Sequence, residues 1–235
     1  MHTRLPRVDL FPRSGCDKVE EGAADWLIWQ LADSAFPTGS FAHSSGLEAA
    51  WQCGQVRNGS ELIGFAEAAL TQSAYSSLPF VLATYDQPDR FKELDHLNDA
   101  FLSTHVANRA SRLQGRALIS AIERIFPDRA KRSACLCSHY APIFGALLRS
   151  FNIERETTCR LFFFLVTRSL ISAAVRLGVI GPMEGQQIQS SLAPRVEDLI
   201  AKHQEISIDD IAQTAPILDI CHGMHDRLYS RLFQT

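Results

Sequence analysis

Three groups of residues have types and spacings that could support chemistry, and the first lies in DSAFPTGSFAHSSGLEAA, residues 33–50. Asp33, His43 and Ser44 supply the residue types of a hydrolase triad. However, the G-x-S-x-G turn that exposes such a serine is absent, and that turn also needs a strand before it. A hydrolase at His43 and Ser44 is therefore an alternative function and not the favoured one.

The same stretch can be explained as a connection between two helices. The segment PTGS predicts a turn, and its serine, Ser40, can cap the helix that follows. Ser45 and Glu48 have the S-x-x-E spacing of a capping box. A helix that starts at Ser40 would place His43 on its apolar stripe, as a half-buried packing residue.

The second group is CLCSHY, with Cys135, Cys137 and His139. Structural zinc sites favour C-x(2–4)-C and need a second pair of ligands, and no matching pair follows in the chain. A thiol redox site would prefer C-x-x-C. We predict a loop that carries small apolar thiols, and thiol chemistry remains an alternative enzymatic function.

The third group is Cys221, His222 and His225. Cys221 and His225 lie one turn apart on a predicted helix, a spacing that can chelate a transition metal. We favour a core or interface seam, because one uninterrupted packing stripe contains Leu218, Cys221, His225, Leu228 and Leu232. We predict no permanent metal and no cofactor, and transient contact with nickel or zinc stays open.

The predicted last helix also combines charge and aromatic area near the end of the chain. Arg227 and Arg231 are like charges four residues apart, and Tyr229 and Phe233 follow the same helix. Arginine and tyrosine are enriched among the residues that dominate protein–protein binding. We expect a partner protein to order or complete this helix, with docking on the protein's own core as the alternative.

The elements that must position these residues are helices. Strand-like alternation does not recur, whereas helical patterns recur from end to end. The predicted helices cover or begin near residues 25–32, 47–54, 61–75, 79, 91–102, 106–125, 141–151, 154–177, 188–203 and 217–233, with Asp25 and Ser60 as caps of the first and third. LFFFLV is apolar on every face, which predicts a helix surrounded by others, and Gly178 is expected to end it. The fold class is therefore an all-α single domain of roughly eight to ten helices around a central apolar helix, residues 24–235, after a flexible arm at 1–23.

Composition excludes several classes of protein. The chain has 235 residues, 46% hydrophobic and 21% charged, which is typical of a globular domain. A formal net charge of -3 argues against general nucleic-acid binding. The first residues lack the apolar region of a secretory signal, and the longest apolar run is too short to span a membrane. The expected location is the cytoplasm, with the six cysteines reduced.

Four blocks of the sequence resemble the urease accessory protein F family. WLIWQLADSAFPTGSFAHSSGLEAA is similar to the N-terminal signature of the family, and SHYAPIFGALL and AAVRLGVIGPMEGQQI are similar to its middle segments. APILDICHGMHDRLYSRLFQT resembles its C-terminal segment. The blocks occur in the family's order and extend from about residue 26 to the end.

This resemblance implies a non-catalytic, all-α scaffold for the insertion of nickel into urease. Such proteins act as homodimers that bind a UreD-type accessory protein (UreH in some organisms), recruit the UreG GTPase, deliver the assembly to the urease apoprotein and modulate GTP hydrolysis. The resemblance implies partner-binding roles for the positions that match: Gln30, Asp33, Pro37, Gly39, Phe41, His43, Ser44, Glu48, Arg176, Asp219, His225, Tyr229, Arg231, Leu232 and Phe233. We expect the C-terminal helix to pack near the opening stretch, so that both form one surface for a partner. Asp226 departs from the pattern, because a glutamate is usual at that position.

Overall fold

A computed structural model describes residues 21–38, 42–127 and 137–234, with side chains from residue 25 onward. The described chain is all-α and contains no strand, which confirms the predicted fold class. The predicted arm at 1–23 lies almost entirely outside these residues. The helices are α1 Glu21–Ala32, α2 Leu47–Gln52, α3 Gly59–Ser76, α4 Leu78–Asp86, α5 Phe91–Phe101, α6 His105–Ile125, α7 Tyr140–Ser150, α8 Arg155–Arg176, α9 Pro182–Lys202 and α10 Pro216–Met224.

The centre of the domain is α8, as its apolar sequence predicts. It contacts α1, α2, α3, α4, α7 and α9. Phe162 and Phe163 are buried, and the ring of Phe162 lies 5.9 Å from that of Phe144 in α7. Phe164 is 39% exposed, so the helix is not covered on every side. Although α8 is long and apolar enough to cross a membrane, 56% of the relevant stretch is buried inside the protein, as in the core helix of a globular domain.

Gly178 ends α8 as predicted. Its φ of 72° is in the left-handed region, which glycine adopts without steric cost. The Gly178 N–H donates to the Val175 carbonyl and the Val179 N–H donates to the Ala174 carbonyl. These two bonds form a Schellman motif, which satisfies the last carbonyls of the helix. Arg176 is therefore held in the final turn, where it faces the C-terminal residues.

Two pairs of helices approach each other closely. A Cβ atom at Gly145 in α7 would overlap the Val81 carbonyl oxygen of α4, so these helices pack backbone against backbone. At the N-terminus of α2, Gly46 has a φ of 83°, and a Cβ atom there would lie 3.2 Å from the Cys221 Cβ and from the His222 amide nitrogen of α10. The predicted packing of the C-terminal helix near the opening stretch is thus confirmed.

Several predicted helix ends were wrong, because local patterns compete with contacts made elsewhere. α1 begins at Glu21, so Asp25 lies inside it. α3 is capped by Asn58, whose side chain accepts from the Glu61 N–H at 3.1 Å, and not by Ser60. α9 begins at Pro182, six residues before the predicted start.

The largest error concerns the C-terminus, where a helix over 217–233 was predicted. α10 ends at Met224, a single 3₁₀ turn covers His225–Arg227, and residues 228–234 form a non-helical segment with two bends. The packing stripe predicted from Leu218 to Leu232 therefore does not exist beyond His225. The reason is that backbone N–H groups of the last residues donate tertiary hydrogen bonds, which are described below.

Candidate functional site

The last described residues, 228–234, lie against the opening stretch, and we call them the C-terminal segment. The Gln234 N–H donates to the Ala42 carbonyl at 2.8 Å, and the Gln52 side-chain amide donates to the Ser230 carbonyl at 2.8 Å. Both partners precede or belong to α2. Backbone groups of the C-terminal segment therefore join it to the residues before and within α2.

Glu48 in α2 is the main anchor of this segment. Its carboxylate is 1% exposed and accepts the Leu232 N–H at 2.6 Å and the Phe233 N–H at 3.3 Å. Hydrogen bonds to a buried carboxylate are stronger than those between neutral groups. The predicted capping box of Ser45 and Glu48 was wrong, because α2 starts after Gly46 without a side-chain cap.

Arg176 and Phe233 bring a middle block and the C-terminal block of the sequence together. The Phe233 ring is buried, with 5% exposed, and the Arg176 guanidinium lies 4.3 Å from its centre. A guanidinium over an aromatic face is attracted by the ring's electron density. Phe233 thus fixes the C-terminal segment on α8 while Glu48 fixes it on α2.

Three histidines surround the same anchor. His225 is 1% exposed, and its Nε2 lies 3.3 Å from Glu48 Oε2, although neither ring nitrogen makes a hydrogen bond. His43 is buried, and burial lowers its pKa to about 4, with smaller contributions from His225, Arg109 and His222. Burial, with a further contribution from His225, also lowers the pKa of His222 to about 4. His43 and His222 are therefore neutral at pH 7. The predicted half-buried His43 on a helix stripe was wrong, because the residue lies before α2 in a non-helical stretch.

These two histidines predict an acid-sensitive fold. An unfolded histidine has a pKa of about 6.5, so between that value and about 4 the unfolded chain takes up protons that the folded chain does not. Stability is therefore complete above pH 6.5 and falls as the pH falls, by about 2 kcal/mol per histidine at pH 5. Urea unfolding at pH 7 and pH 5 measures this loss, and His43→Gln should reduce it by about half. A variant with an unchanged pH dependence would contradict the assignment.

Asp226 fastens the 3₁₀ turn to α6. Its carboxylate accepts from Arg109 at 2.8 and 3.2 Å and from His105 Nε2 at 2.9 Å, and Arg231 lies 3.5 Å away. Hydrogen bonds from Arg109 and His105 lower the pKa of Asp226 to about 2. An aspartate thus makes the ion pairs at the position where the family pattern has a glutamate.

The backbone of the C-terminal segment is held, but several of its side chains face solvent. Tyr229 is fully exposed and Leu232 is 52% exposed. The Arg231 side chain is 47% exposed. Ile217 and Ile220 on α10 are also more than half exposed. The C-terminal segment therefore exposes apolar and aromatic side chains while its backbone and Phe233 are held against the rest of the protein. This arrangement suits protein–protein contact.

The matching positions of the opening stretch divide into two sets. Gln30, Asp33 and Pro37 are exposed at the end of α1 and in the turn after it. The exposed rings of Trp26 and Trp29, which meet edge to face, lie on the same helix. His43, Ser44 and Glu48 are buried next to the C-terminal segment. Gly39 and Phe41 lie outside the described residues, as does the predicted cap Ser40. The structure brings the buried set together with Arg176, His225 and Phe233, and leaves the exposed set on α1.

The geometry does not assemble the alternative enzymatic sites. The Ser44 hydroxyl is buried and makes no hydrogen bond, so His43 does not act on it as a base, and Asp33 Oδ1 instead accepts the Ala35 N–H at 2.8 Å. Among the described residues, Cys221, His222 and His225 do not bring three ligand atoms together as a metal site would require. Cys135 lies outside the described residues, and Cys137 and His139 are considered below.

Asp219 is placed by a residue that the sequence patterns did not indicate. Gln72 of α3 donates to Asp219 Oδ1 at 3.0 Å and accepts the Ala215 N–H at 2.8 Å, which holds the start of α10. Burial raises the pKa of Asp219. Gln52 and Arg109 were missed in the same way, because a polar residue on a helix carries no local sign of which distant backbone or carboxylate it meets.

Comparison with known proteins identifies the family of the chain. The sequence model of the UreF family matches residues 56–193. The chain is 38% identical to urease accessory protein F of Oryza sativa subsp. indica over 221 residues, which is 89% of this chain and 85% of the relative. It is 36% identical over 219 residues to urease accessory protein F of Arabidopsis thaliana, covering 88% and 91% of the two chains. Urease accessory protein UreF of Roseobacter denitrificans is 28% identical over 210 residues, 88% of this chain and 92% of the relative.

Proposed function

Because the chain belongs to the UreF family of urease accessory proteins, we propose that it is a non-catalytic scaffold for the insertion of nickel into urease. In this proposal a homodimer in the cytoplasm binds a UreD- or UreH-type accessory protein and recruits a UreG-type GTPase. The assembly then delivers nickel to the urease apoprotein in a GTP-dependent step. The protein contributes proximity, since it raises the effective concentration of one partner near another.

One observation carries the proposal. The chain uses a buried carboxylate and a contact between Arg176 and the buried Phe233 ring to hold a non-helical segment whose Tyr229 and Leu232 side chains face solvent. Ordering a chain terminus costs conformational entropy, which the free protein offsets with these contacts. A binding surface that is ordered in advance loses less entropy when a partner docks. This favours a recognition role for the C-terminal segment, and modulation of GTP hydrolysis would then act through positioning of the bound GTPase.

The test of the binding surface is capture of the UreD-type partner by variants of exposed residues. Tyr229→Ala should weaken capture by at least about thirtyfold, the effect of losing a binding hot spot of 2 kcal/mol. Arg231→Glu should also weaken it, because it reverses a charge on the same surface. Met183→Ala on α9 is the matched control, since Met183 is 77% exposed and lies outside the C-terminal segment. All three variants should unfold at denaturant concentrations close to that of the unchanged protein.

The test of the function itself uses cells that lack the protein. Their urease should accumulate as nickel-free apoprotein, and re-expression of the unchanged chain should restore nickel content and activity. Fully nickel-loaded urease in the deletion strain would contradict the proposed function. Undiminished capture by Tyr229→Ala, with normal dependence of urease on the protein, would instead place the binding surface elsewhere.

A further inference from the structure

A second group of side chains with metal-binding chemistry lies away from the C-terminal segment. One ligand atom each from Asp99, Cys137 and His139 lies within 4.8 Å of the other two. Cys137 and His139 are 8% and 0% exposed. His96 lies beside this group, with its Nδ1 3.5 Å from Cys137 Sγ, and would have to move closer to the other two donors to act as a fourth ligand. His96 and Asp99 share one face of α5, three residues apart, and the other two precede α7.

Two of the separations between donors are close to those around a tetrahedral metal ion. With metal–nitrogen bonds of about 2.0–2.1 Å and metal–sulfur bonds of about 2.3 Å, tetrahedral angles place sulfur and nitrogen about 3.6 Å apart and nitrogen and oxygen about 3.3 Å apart. Cys137 Sγ and His96 Nδ1 are 3.5 Å apart, and His139 Nε2 and Asp99 Oδ1 are 3.0 Å apart. The second pair would have to open by a few tenths of an ångström. Two nitrogens, a sulfur and an oxygen are a donor set that zinc and similar divalent ions accept.

The donors are held in place without a metal. The Asp95 carboxylate accepts the N–H groups of Cys137, Ser138 and His139 at 3.1, 2.9 and 2.8 Å. Ser138 has a φ of 66°, a costly backbone conformation that these bonds maintain. Such partners fix the orientation of the ligands and reduce what binding must organise.

Neighbouring side chains also orient His139 and Asp99. His139 Nε2–H donates to Asp99 Oδ1 at 3.0 Å, and Nδ1 lies 3.1 Å from Ser111 Oγ. A metal ion would take the place of the Nε2 proton, and Nδ1–H would then donate to Ser111 Oγ. Asn108 donates to Asp99 Oδ1 at 2.9 Å. These are the outer contacts that a histidine and a carboxylate need in order to present one defined atom to an ion.

The local charge favours a cation. Asp95 is 1% exposed, and Asp99 lies one turn further along α5. The only ion-pair cation other than histidine recorded near either carboxylate in the described chain is Arg112, at 3.9 Å from Asp99. The three N–H groups that Asp95 accepts already stabilise its buried charge. Asp99, whose side chain is 38% exposed, places a negative charge beside the Cys137 thiol, and a divalent ion would pair with both groups. We propose that His96, Asp99, Cys137 and His139 bind one zinc-like divalent transition-metal ion, which ties α5 to the N-terminus of α7.

The test is titration of the metal-free full-length chain with Co²⁺ and then Zn²⁺. We expect one equivalent of Co²⁺ to give the sulfur-to-metal absorption and the visible bands of a tetrahedral thiolate site, and Zn²⁺ to displace it. Cys137→Ser should abolish the sulfur-to-metal absorption. His96→Ala should weaken Zn²⁺ binding by at least about tenfold, as expected when a ligand or its support is lost. His96 is exposed, so this variant should fold normally and decides the matter if Cys137→Ser does not fold.

Two control variants exclude other thiols. Cys53→Ser removes an exposed thiol, and Cys221→Ser removes a buried one beside the C-terminal segment, so both should bind Co²⁺ and Zn²⁺ like the unchanged chain. Zinc should raise the midpoint of thermal unfolding of these controls and not that of His96→Ala. No stoichiometric binding, or equal binding by the unchanged chain and His96→Ala, would overturn the proposal. Loss of binding in Cys221→Ser alone would overturn it as well.

Discussion

Replacing Glu48 by alanine is expected to lower the free energy of unfolding by about 2–5 kcal/mol and to release the C-terminal segment. The carboxylate is buried and accepts two backbone N–H groups from residues that have no helix to pair with. Its removal leaves those donors unpaired, at about 1–3 kcal/mol each. Denaturant unfolding measures the first effect, and amide hydrogen exchange at Leu232 and Phe233 measures the second.

Two further variants separate this role from ordinary loss of a charge. Glu93→Ala removes an acid of α5 that is well exposed and pairs with Arg90, so it should change stability by less than about 0.5 kcal/mol. Glu48→Gln keeps the shape and one acceptor oxygen, and should lie between Glu48→Ala and the unchanged chain. Leu232 and Phe233 amides that exchange no faster in Glu48→Ala would show that other contacts hold the segment.

The protein fold was predictable because its strongest signals are local. Apolar runs, helix-compatible spacing and the glycine after α8 act within a few residues, so the all-α class, the central helix and its end could be inferred. Helix starts were less predictable. Asn58 and Ser60 are both acceptable caps by type. In the structure the Asn58 side chain accepts the Glu61 N–H, so α3 begins one residue before Ser60, at Gly59.

The site was predicted in composition but not in arrangement. Resemblance assigned Glu48, Arg176 and Phe233 to three separate blocks, and the structure shows that these residues hold one segment in place. Local spacing had assigned Glu48 to a capping box and the last residues to a helix. Both errors have the same cause. The Glu48 carboxylate accepts the N–H of a residue 184 positions away, and this tertiary hydrogen bond replaces both the local capping box and the helical hydrogen bonds of the last residues.

The proposed metal-binding group could not be recognised in the sequence, for a related reason. A zinc pattern was sought along the chain after CLCSHY, where no second pair of ligands exists. The pair that the fold supplies, His96 and Asp99, precedes Cys137 by about forty residues on a different helix. Such a pair is visible in sequence only as two polar residues on one face of a helix, which surface helices show routinely.

Gly145→Ala is expected to destabilise the protein by more than about 3 kcal/mol, although it adds a single methyl group. The added Cβ would overlap the Val81 carbonyl oxygen and the Thr84 hydroxyl, so α4 and α7 would have to separate. Overpacking by a methylene usually costs about 1–3 kcal/mol when side chains can move, and backbone atoms cannot yield in that way. The measurement is the denaturant midpoint, or the yield of soluble protein if the variant does not fold.

Gly64→Ala in α3 is the matched control, because nothing lies within 4 Å of a Cβ atom built there. Alanine should stabilise this helix by up to about 1 kcal/mol, since glycine loses more backbone freedom on folding. The contrast bears on function, because Gly145 belongs to SHYAPIFGALL, one of the blocks that resembles the family. If Gly145→Ala unfolds the protein as expected, the packing of α4 against α7 explains why glycine is needed at this position. Contact between Gly145 and a partner is then not required. A folded Gly145→Ala variant that fails to support urease maturation would instead indicate recognition through α7.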